Sequence, residues 1–173
     1  MEQPKSKPQP PNNSEGATPV TIRPAAAADL VSVLAIEHDS PSAAQWKNSD
    51  YAKALNEPTR LFLVAEEEAD NRVIGFLVAS TATEEWELEN IAVSPAARRR
   101  GIGRALMNAL IQQAQHRGAL EIRQEVRVSN SAAQNLGRSA GFLPEGRRKG
   151  YYRNPREDAL LFKYLTRTRQ VRT

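Results

Sequence analysis

The stretch SPAARRRGIGRALM, residues 94–107, sets Arg98, Arg99 and Arg100 directly ahead of Gly101 and Gly103 and then enters an apolar helix pattern. A strand, a glycine-bearing loop and a helix start together present free backbone N–H groups and the positive end of a helix dipole to an anion. Glycine lets the backbone come close to such a ligand, and arginines add charge-assisted hydrogen bonds. The chemistry is that of holding a phosphate. The same residues also fit a plain strand–helix turn with solvated arginines. What is missing narrows the kind of phosphate. No G-x-x-x-x-G-K followed by Ser or Thr occurs, which excludes the nucleotide-triphosphatase loop. Arg104, Ala105 and Leu106 follow Gly103 with no third glycine, and no parallel βαβ unit opens the chain, so the dinucleotide fingerprint also fails.

The elements that must position this loop can be read from periodicity. Residues 20–25 alternate as a first strand; residues 26–40 carry Leu30, Val33, Leu34 and Ala35 at helical spacing, and Pro41 ends that run. Residues 42–56 read as a second helix. Residues 60–67 and 71–83 read as an antiparallel hairpin, and 84–93 as the strand entering the arginine loop. Residues 101–117 place Ile102, Leu106, Leu110 and Ile111 on one helical face and end at Gly118. Residues 119–128 alternate, with Leu120, Ile122, Val126 and Val128 on one side and Glu121, Arg123, Glu125 and Arg127 on the other. Asn130 is a good N-cap for a helix over 130–140, although the interior Gly137 costs about 1 kcal/mol relative to alanine. The remainder reads as two strands around a polar loop. The order β-α-α-β-β-β-α-β-α-β-β gives an α+β fold with a mixed sheet.

The chain has 173 residues, a net charge of +4 and no cysteine. One domain over 20–166 is expected, long enough to bury a core unaided, between a disordered tail at 1–19 and a basic tail at 167–173. Without cysteines there is no thiolate nucleophile and no disulfide framework. His38 and His116 have no partner at metal-ligand spacing, so no metal is expected. No apolar run approaches the ~18 residues of a membrane span, and a cytoplasmic protein is expected. The arginine clusters suit an anionic partner, but no nucleic-acid reading motif accompanies them.

At this point residues carry a resemblance. ENIAVSPAARRRGIGRALM is similar to motif A of the GCN5-related N-acetyltransferases, with Arg98, Gly101 and Gly103 in its three fixed places. EIRQEVRVSNSAAQNLGRSAGF resembles motif B through Glu125, Asn130 and Gly141-Phe142. RRKGYYRNPREDALLF resembles the end of the bacterial ribosomal-protein-alanine branch. The similarity runs from Val20 to about Leu165. It implies a mostly antiparallel sheet of about seven strands flanked by about four helices.

The resemblance also implies chemistry. Acetyl-CoA is the cosubstrate, with its pyrophosphate on Arg98, Arg99, Arg100, Gly101, Ile102, Gly103 and Arg104. The strand Ile91, Ala92 and Val93 meets the pantetheine arm and thioester, and Asn130 touches the arm or caps its helix. Glu125 matches the base of the ribosomal-protein enzymes; a surface carboxylate paired with Arg123 and Arg127 is the alternative, and Glu87 and Glu89 are in reserve. Tyr151 and Tyr152 line the peptide groove or supply a proton, or else pack within their strand. One departure stands out. The family motif N-x-x-A-x-x-x-Y ends in a tyrosine that protonates the leaving thiolate, and from Asn130 that place falls on Gly137. The acceptor implied is a protein N-terminal α-amine, the alanine of a small-subunit ribosomal protein foremost. A small-molecule amine, a lysine, or a weakly catalytic acetyl-CoA sensor remain as alternatives.

Overall fold

The computed structural model describes residues 18–166, so the two expected tails lie outside it apart from residues 18 and 19. Seven strands form one sheet in the order β1-β2-β3-β4-β5-β7-β6. They are β1 (Val20–Pro24), β2 (Arg60–Glu67), β3 (Arg72–Ser80), β4 (Glu85–Val93), β5 (Glu121–Arg127), β6 (Leu143–Arg153) and β7 (Arg156–Leu165). Four helices flank it: α1 (Leu30–His38), α2 (Asn48–Asn56), α3 (Ile102–His116) and α4 (Ser131–Ser139). Every neighbouring pair of strands is antiparallel except β4 and β5. The α+β reading and the order of elements hold.

Each face of the sheet carries its own core. On one, Leu106, Met107 and Leu110 of α3 meet Leu77, Leu88, Ile122 and Val126 of the strands and Phe142 after α4. On the other, Val33 and Ile36 of α1 and Tyr51 of α2 pack on Phe62, Val64, Phe76 and Val78. Alternation along β5 follows the expectation at its centre, with Ile122 and Val126 buried. It fails at the ends, where Leu120 and Val128 are exposed beyond the last paired residues.

Two features shape the site. First, β4 and β5 pair only from Glu85–Leu88 with Glu121–Gln124. Glu89 is then an extra residue opposite β3, where Val78 and Ala79 face Asn90 and Leu88. A bulge of this kind bends and twists its strand, and β4 leaves β5 to open a V. Second, the expected helix over 42–56 is shorter. It begins at Asn48, because Lys47 is extended and its N–H donates to Asp50 Oδ2 at 2.9 Å. Residues 41–47 instead form an irregular segment that roofs the V.

Candidate active site

The geometry starts from the free edge of β4. Ser94 N–H donates to Ile74 C=O at 2.8 Å, and main-chain polar groups alternate in direction along a strand. Ala92 therefore also turns toward β3, while Ile91 and Val93 turn their N–H and C=O groups into the V. Arg98 closes one of these, its Nε donating to Val93 C=O at 3.3 Å and its guanidinium to Ser40 Oγ at 3.3 Å. The loop then curls through two left-handed residues, Arg99 with φ 61° and Gly101 with φ 78°. Gly101 caps the N-terminus of the 15-residue α3. Gly103 serves packing as well, since a Cβ there would lie 3.2 Å from Leu136 of α4.

A groove runs along this edge, walled by Ile91, Ala92, Val93, Ile102 and Leu136 and ending at Arg98, Arg99, Gly101, Gly103 and Arg104. One end offers cationic side chains and helix-start amides to an anion; the remainder is largely apolar. Those properties suit a pyrophosphate joined to a long flexible arm. Arg100 departs from the expected set: its guanidinium sits 2.7 Å from Glu67 on β2, which also holds Arg72. Glu67 is nearly buried and accepts both cations, so only the Arg100 backbone remains for the loop. Asn130 takes the capping role of the two expected, and adds a tie to the roof. Its Oδ1 accepts from Ala133 N–H at 3.0 Å, capping α4, and Nδ2 donates to Ser42 C=O at 3.4 Å, tying that helix to the roof.

A larger cleft of about 1080 Å³ continues from the groove, sharing Ser42, Ala43, Ile91, Asn130 and Ala133 with it. Its wall brings together Glu125, Tyr151 and Tyr152, as expected, with Glu87, Glu89 and Gln124. Glu125 is not paired with Arg123 or Arg127. Those arginines take Glu121 and Glu157, while Glu125 Oε1 meets Arg148 from β6 at 2.9 Å. Tyr152 packs under Arg127, 4.1 Å from its ring, and donates its hydroxyl to the Glu125 C=O at 3.3 Å. Burial, reinforced by the Glu125 charge, pushes its pKa up to about 12. Tyr151 is more exposed, and hydrogen bonding to the Glu125 carboxylate, then burial, raises its hydroxyl above the ordinary phenol range. Both phenols therefore keep their protons at neutral pH.

One further group escaped sequence reasoning, and a reserve candidate, Glu89, proves to be tied elsewhere. Glu37, buried in α1, accepts from Tyr51 Oη at 2.7 Å and from Trp46 N–H at 2.8 Å, and Asn90 Nδ2 donates to Tyr51 Oη at 2.8 Å. This network fixes the 41–47 roof over β4, aided by Ala44 N–H donating to Asn90 Oδ1. Its only sequence signal is a polar Asn90 in step with the apolar Trp86, Leu88 and Ala92 of the alternating β4. Glu89, the bulge residue, is held 3.1 Å from Arg60, and burial raises its pKa. Trp86 belongs to the core, and both histidines are exposed. Among the described residues no cluster suits a metal ion, and no helix is long and apolar enough to cross a membrane.

Known proteins share this fold. The Acetyltransferase (GNAT) family model matches residues 29–142. The ribosomal protein bS18-alanine N-acetyltransferase of Salmonella typhimurium is 34% identical over 141 residues, covering 77% of this chain and 95% of that protein. The crystal structure of the ribosomal-protein-S18-alanine N-acetyltransferase from Escherichia coli superposes with a TM-score of 0.75 at 28% identity, covering 89% of this chain and 98% of that one. A GNAT superfamily phosphinothricin acetyltransferase from Sinorhizobium meliloti, solved in complex with AcCoA, gives a TM-score of 0.74 at 25% identity, over 84% of this chain and 88% of its own. A split β4–β5 pair, a glycine–arginine loop opening α3 and a carboxylate-bearing cleft thus occur here in a chain that belongs to the GNAT acetyltransferase family and is an N-acetyltransferase.

Proposed function

We propose that the chain moves the acetyl group of acetyl-CoA onto the α-amine of a protein N-terminus, the N-terminal alanine of ribosomal protein bS18 being the acceptor, in the cytoplasm. The observation that carries this is the continuity of the amide-lined groove with an open cleft whose wall holds Glu125. The names of the relatives support the choice of acceptor.

In this reading Arg99, Arg104 and the amides from Arg99 to Arg104 hold the pyrophosphate, and Arg98 keeps the loop against Val93 and the roof. The Ile91 and Val93 N–H groups hold the pantetheine arm and polarise the thioester carbonyl as negative charge grows on its oxygen. Glu125 takes the proton of the attacking amine, directly or through water. An α-amine ionises near pH 7.7–8.0 and a lysine near 10.4, so an α-amine needs far less help at neutral pH. Arg148 orients the Glu125 carboxylate from the far strand. Tyr151 and Tyr152 line the cleft for the peptide, and Tyr152 stiffens β5 through its bond to the Glu125 carbonyl.

The test is release of coenzyme A thiol with three acceptors: an alanine-first peptide, the same peptide with a blocked N-terminus and an internal lysine, and a small polyamine. Thiol release above background with the first alone is expected. Release with the lysine peptide or the polyamine alone would overturn the choice of acceptor. Binding of acetyl-CoA without release would favour the sensor reading that Gly137 raises.

A further inference from the structure

Residues 156–159, Arg-Glu-Asp-Ala, open β7 opposite the second half of the edge strand β6. Ala159 is fully buried, and Glu157 reaches Arg127 and the Ser129 N–H beside the cleft. Asp158 lines neither the groove nor the cleft. Its carboxylate turns to β6 instead, Oδ1 accepting from Gly150 N–H at 2.7 Å and Oδ2 from Arg147 Nε at 2.6 Å. Those two bonds close a bulge. Arg148 pairs with Ala159 and Tyr152 with Glu157, so Lys149, Gly150 and Tyr151 stand opposite Asp158 alone. Gly150 makes the turn with φ 59°.

In a regular strand, residues that are adjacent or three apart face opposite sides. The bulge brings such residues together. The Arg148 guanidinium lies 5.4 Å from the Tyr151 ring, and the rings of Tyr151 and Tyr152 lie 5.1 Å apart. Arg148 meets Glu125 Oε1 at 2.9 Å, and the Tyr151 hydroxyl bonds the same carboxylate. Bulges re-aim side chains beside active sites in this way. Resting on the acetyl-transfer reading above, we infer that Asp158 is a positioning residue for the acceptor, its hold on the β6 bulge aiming Arg148 and Tyr151 at Glu125. Without that carboxylate the Gly150 N–H loses its acceptor and Arg147 its anion. β6 ends the sheet, so no strand on its far side holds the extra residues. The bulge then relaxes toward regular alternation, which turns Arg148 or Tyr151 away from Glu125. The acetyl-CoA groove takes no residue from β6 or β7, so the cost falls on the acceptor.

The test measures kcat/KM with the alanine-first peptide and the Kd of acetyl-CoA, with thermal unfolding to verify that each variant is folded. Asp158→Ala is expected to lower kcat/KM about tenfold and to leave the Kd within about twofold, since misplacing a group by about 1 Å costs up to about 100-fold. Gly150→Ala strains the same bulge, because a Cβ at that left-handed φ lies 3.1 Å from Arg156 Nε, and shows the same split. Asp158→Asn keeps an oxygen for the Gly150 N–H and recovers most of the loss. In a chain already carrying Arg148→Ala and Tyr151→Phe, Asp158→Ala costs less than about twofold, the non-additivity of residues that act through one another. A packing role would give the full loss in that background too, and this result overturns the proposal. So does an unchanged kcat/KM in Asp158→Ala. If wild type acetylates no α-amine, the acetyl-transfer reading fails, and ultraviolet titration of the phenols decides the positioning by itself. The Tyr151 phenol, isolated by subtracting the Tyr151→Phe titration, ionises above the ordinary pKa of about 10 in wild type and returns to it in Asp158→Ala. A Tyr151 titration that is the same with and without Asp158 overturns its role.

Discussion

Gly101 and Gly118 allow the function of the loop to be separated from its folding. Both glycines have φ of 78°, and at both an added Cβ would meet nothing within 4 Å. Alanine at either position is therefore opposed by backbone strain alone, and a left-handed L-residue costs about 1–2 kcal/mol. The two sites differ only in place: Gly101 opens α3 at the groove, and Gly118 follows its other end. Gly118→Ala should lower the melting temperature by about 2–4 °C per kcal/mol for a chain of this size, by the same amount with or without acetyl-CoA. Gly101→Ala has an escape that Gly118→Ala lacks any reason to reveal. If the loop relaxes out of the left-handed region, stability is recovered and the amides no longer converge, so binding carries the strain as a Kd raised about 5–30-fold. Ligand at 100 times the wild-type Kd stabilises a protein by about 2.7 kcal/mol, so the loss is visible in melts run with and without acetyl-CoA and in direct calorimetry. The summed loss in the bound form should match between the variants, with the ligand-dependent part confined to Gly101→Ala. Equal ligand response in both variants would refute the assignment of the 98–104 loop to the cofactor.

The loop arginines should separate as well. Arg100→Ala is expected to leave acetyl-CoA affinity within about twofold, because its guanidinium belongs to Glu67, whereas Arg104→Ala weakens binding by roughly 1 kcal/mol, the scale of a partly screened charge contact; calorimetry in low and high salt reads both. At the other end of the sheet, Asp29 accepts a bidentate pair from Arg23 at 2.8 and 2.9 Å and caps Ala26 N–H at 2.7 Å. The hydrogen bond to Arg23 holds its carboxyl below the usual range, so its stabilisation is complete above the ordinary aspartate pKa and disappears as pH falls through the lowered folded value. Asp29→Asn should therefore cost about 1.5–3 kcal/mol at neutral pH and progressively less in denaturant melts below about pH 4. The rate with an alanine-first peptide should rise with pH through the α-amine pKa of about 7.7–8.0 and show no fall from either tyrosine below about pH 10, since both phenols are raised; a descending limb near pH 9 that disappears in Tyr151→Phe or Tyr152→Phe would contradict that raising.

Much of the fold is written in local pattern, and the exceptions have identifiable causes. The strand at 60–67 appears with the expected bounds, since a run of apolar residues bracketed by Pro58 and a polar turn has no competing structure. The helix expected from Ser42 fails because the Trp46 N–H is taken by Glu37, fourteen residues from Tyr51 in sequence and in direct contact with it in space. The phosphate loop was legible because its backbone needs glycine at particular positions. The partners of its charges were not: Arg100 turns to Glu67, and Glu125 takes Arg148, because strand pairing brings distant residues closer than sequence neighbours. Gly137 was visible as a missing tyrosine. That Gln124 occupies the space emerges only once β5 and α4 are packed together.

The most direct measurement is calorimetric titration of the intact chain with acetyl-CoA, followed on the same sample by addition of an alanine-first peptide and mass-spectrometric location of the acetyl group. The account predicts saturable binding and an acetyl group on the α-amine, with binding kept and transfer slowed in Glu125→Gln. Binding with no transfer, or an acetyl group found only on a side-chain amine, would contradict it.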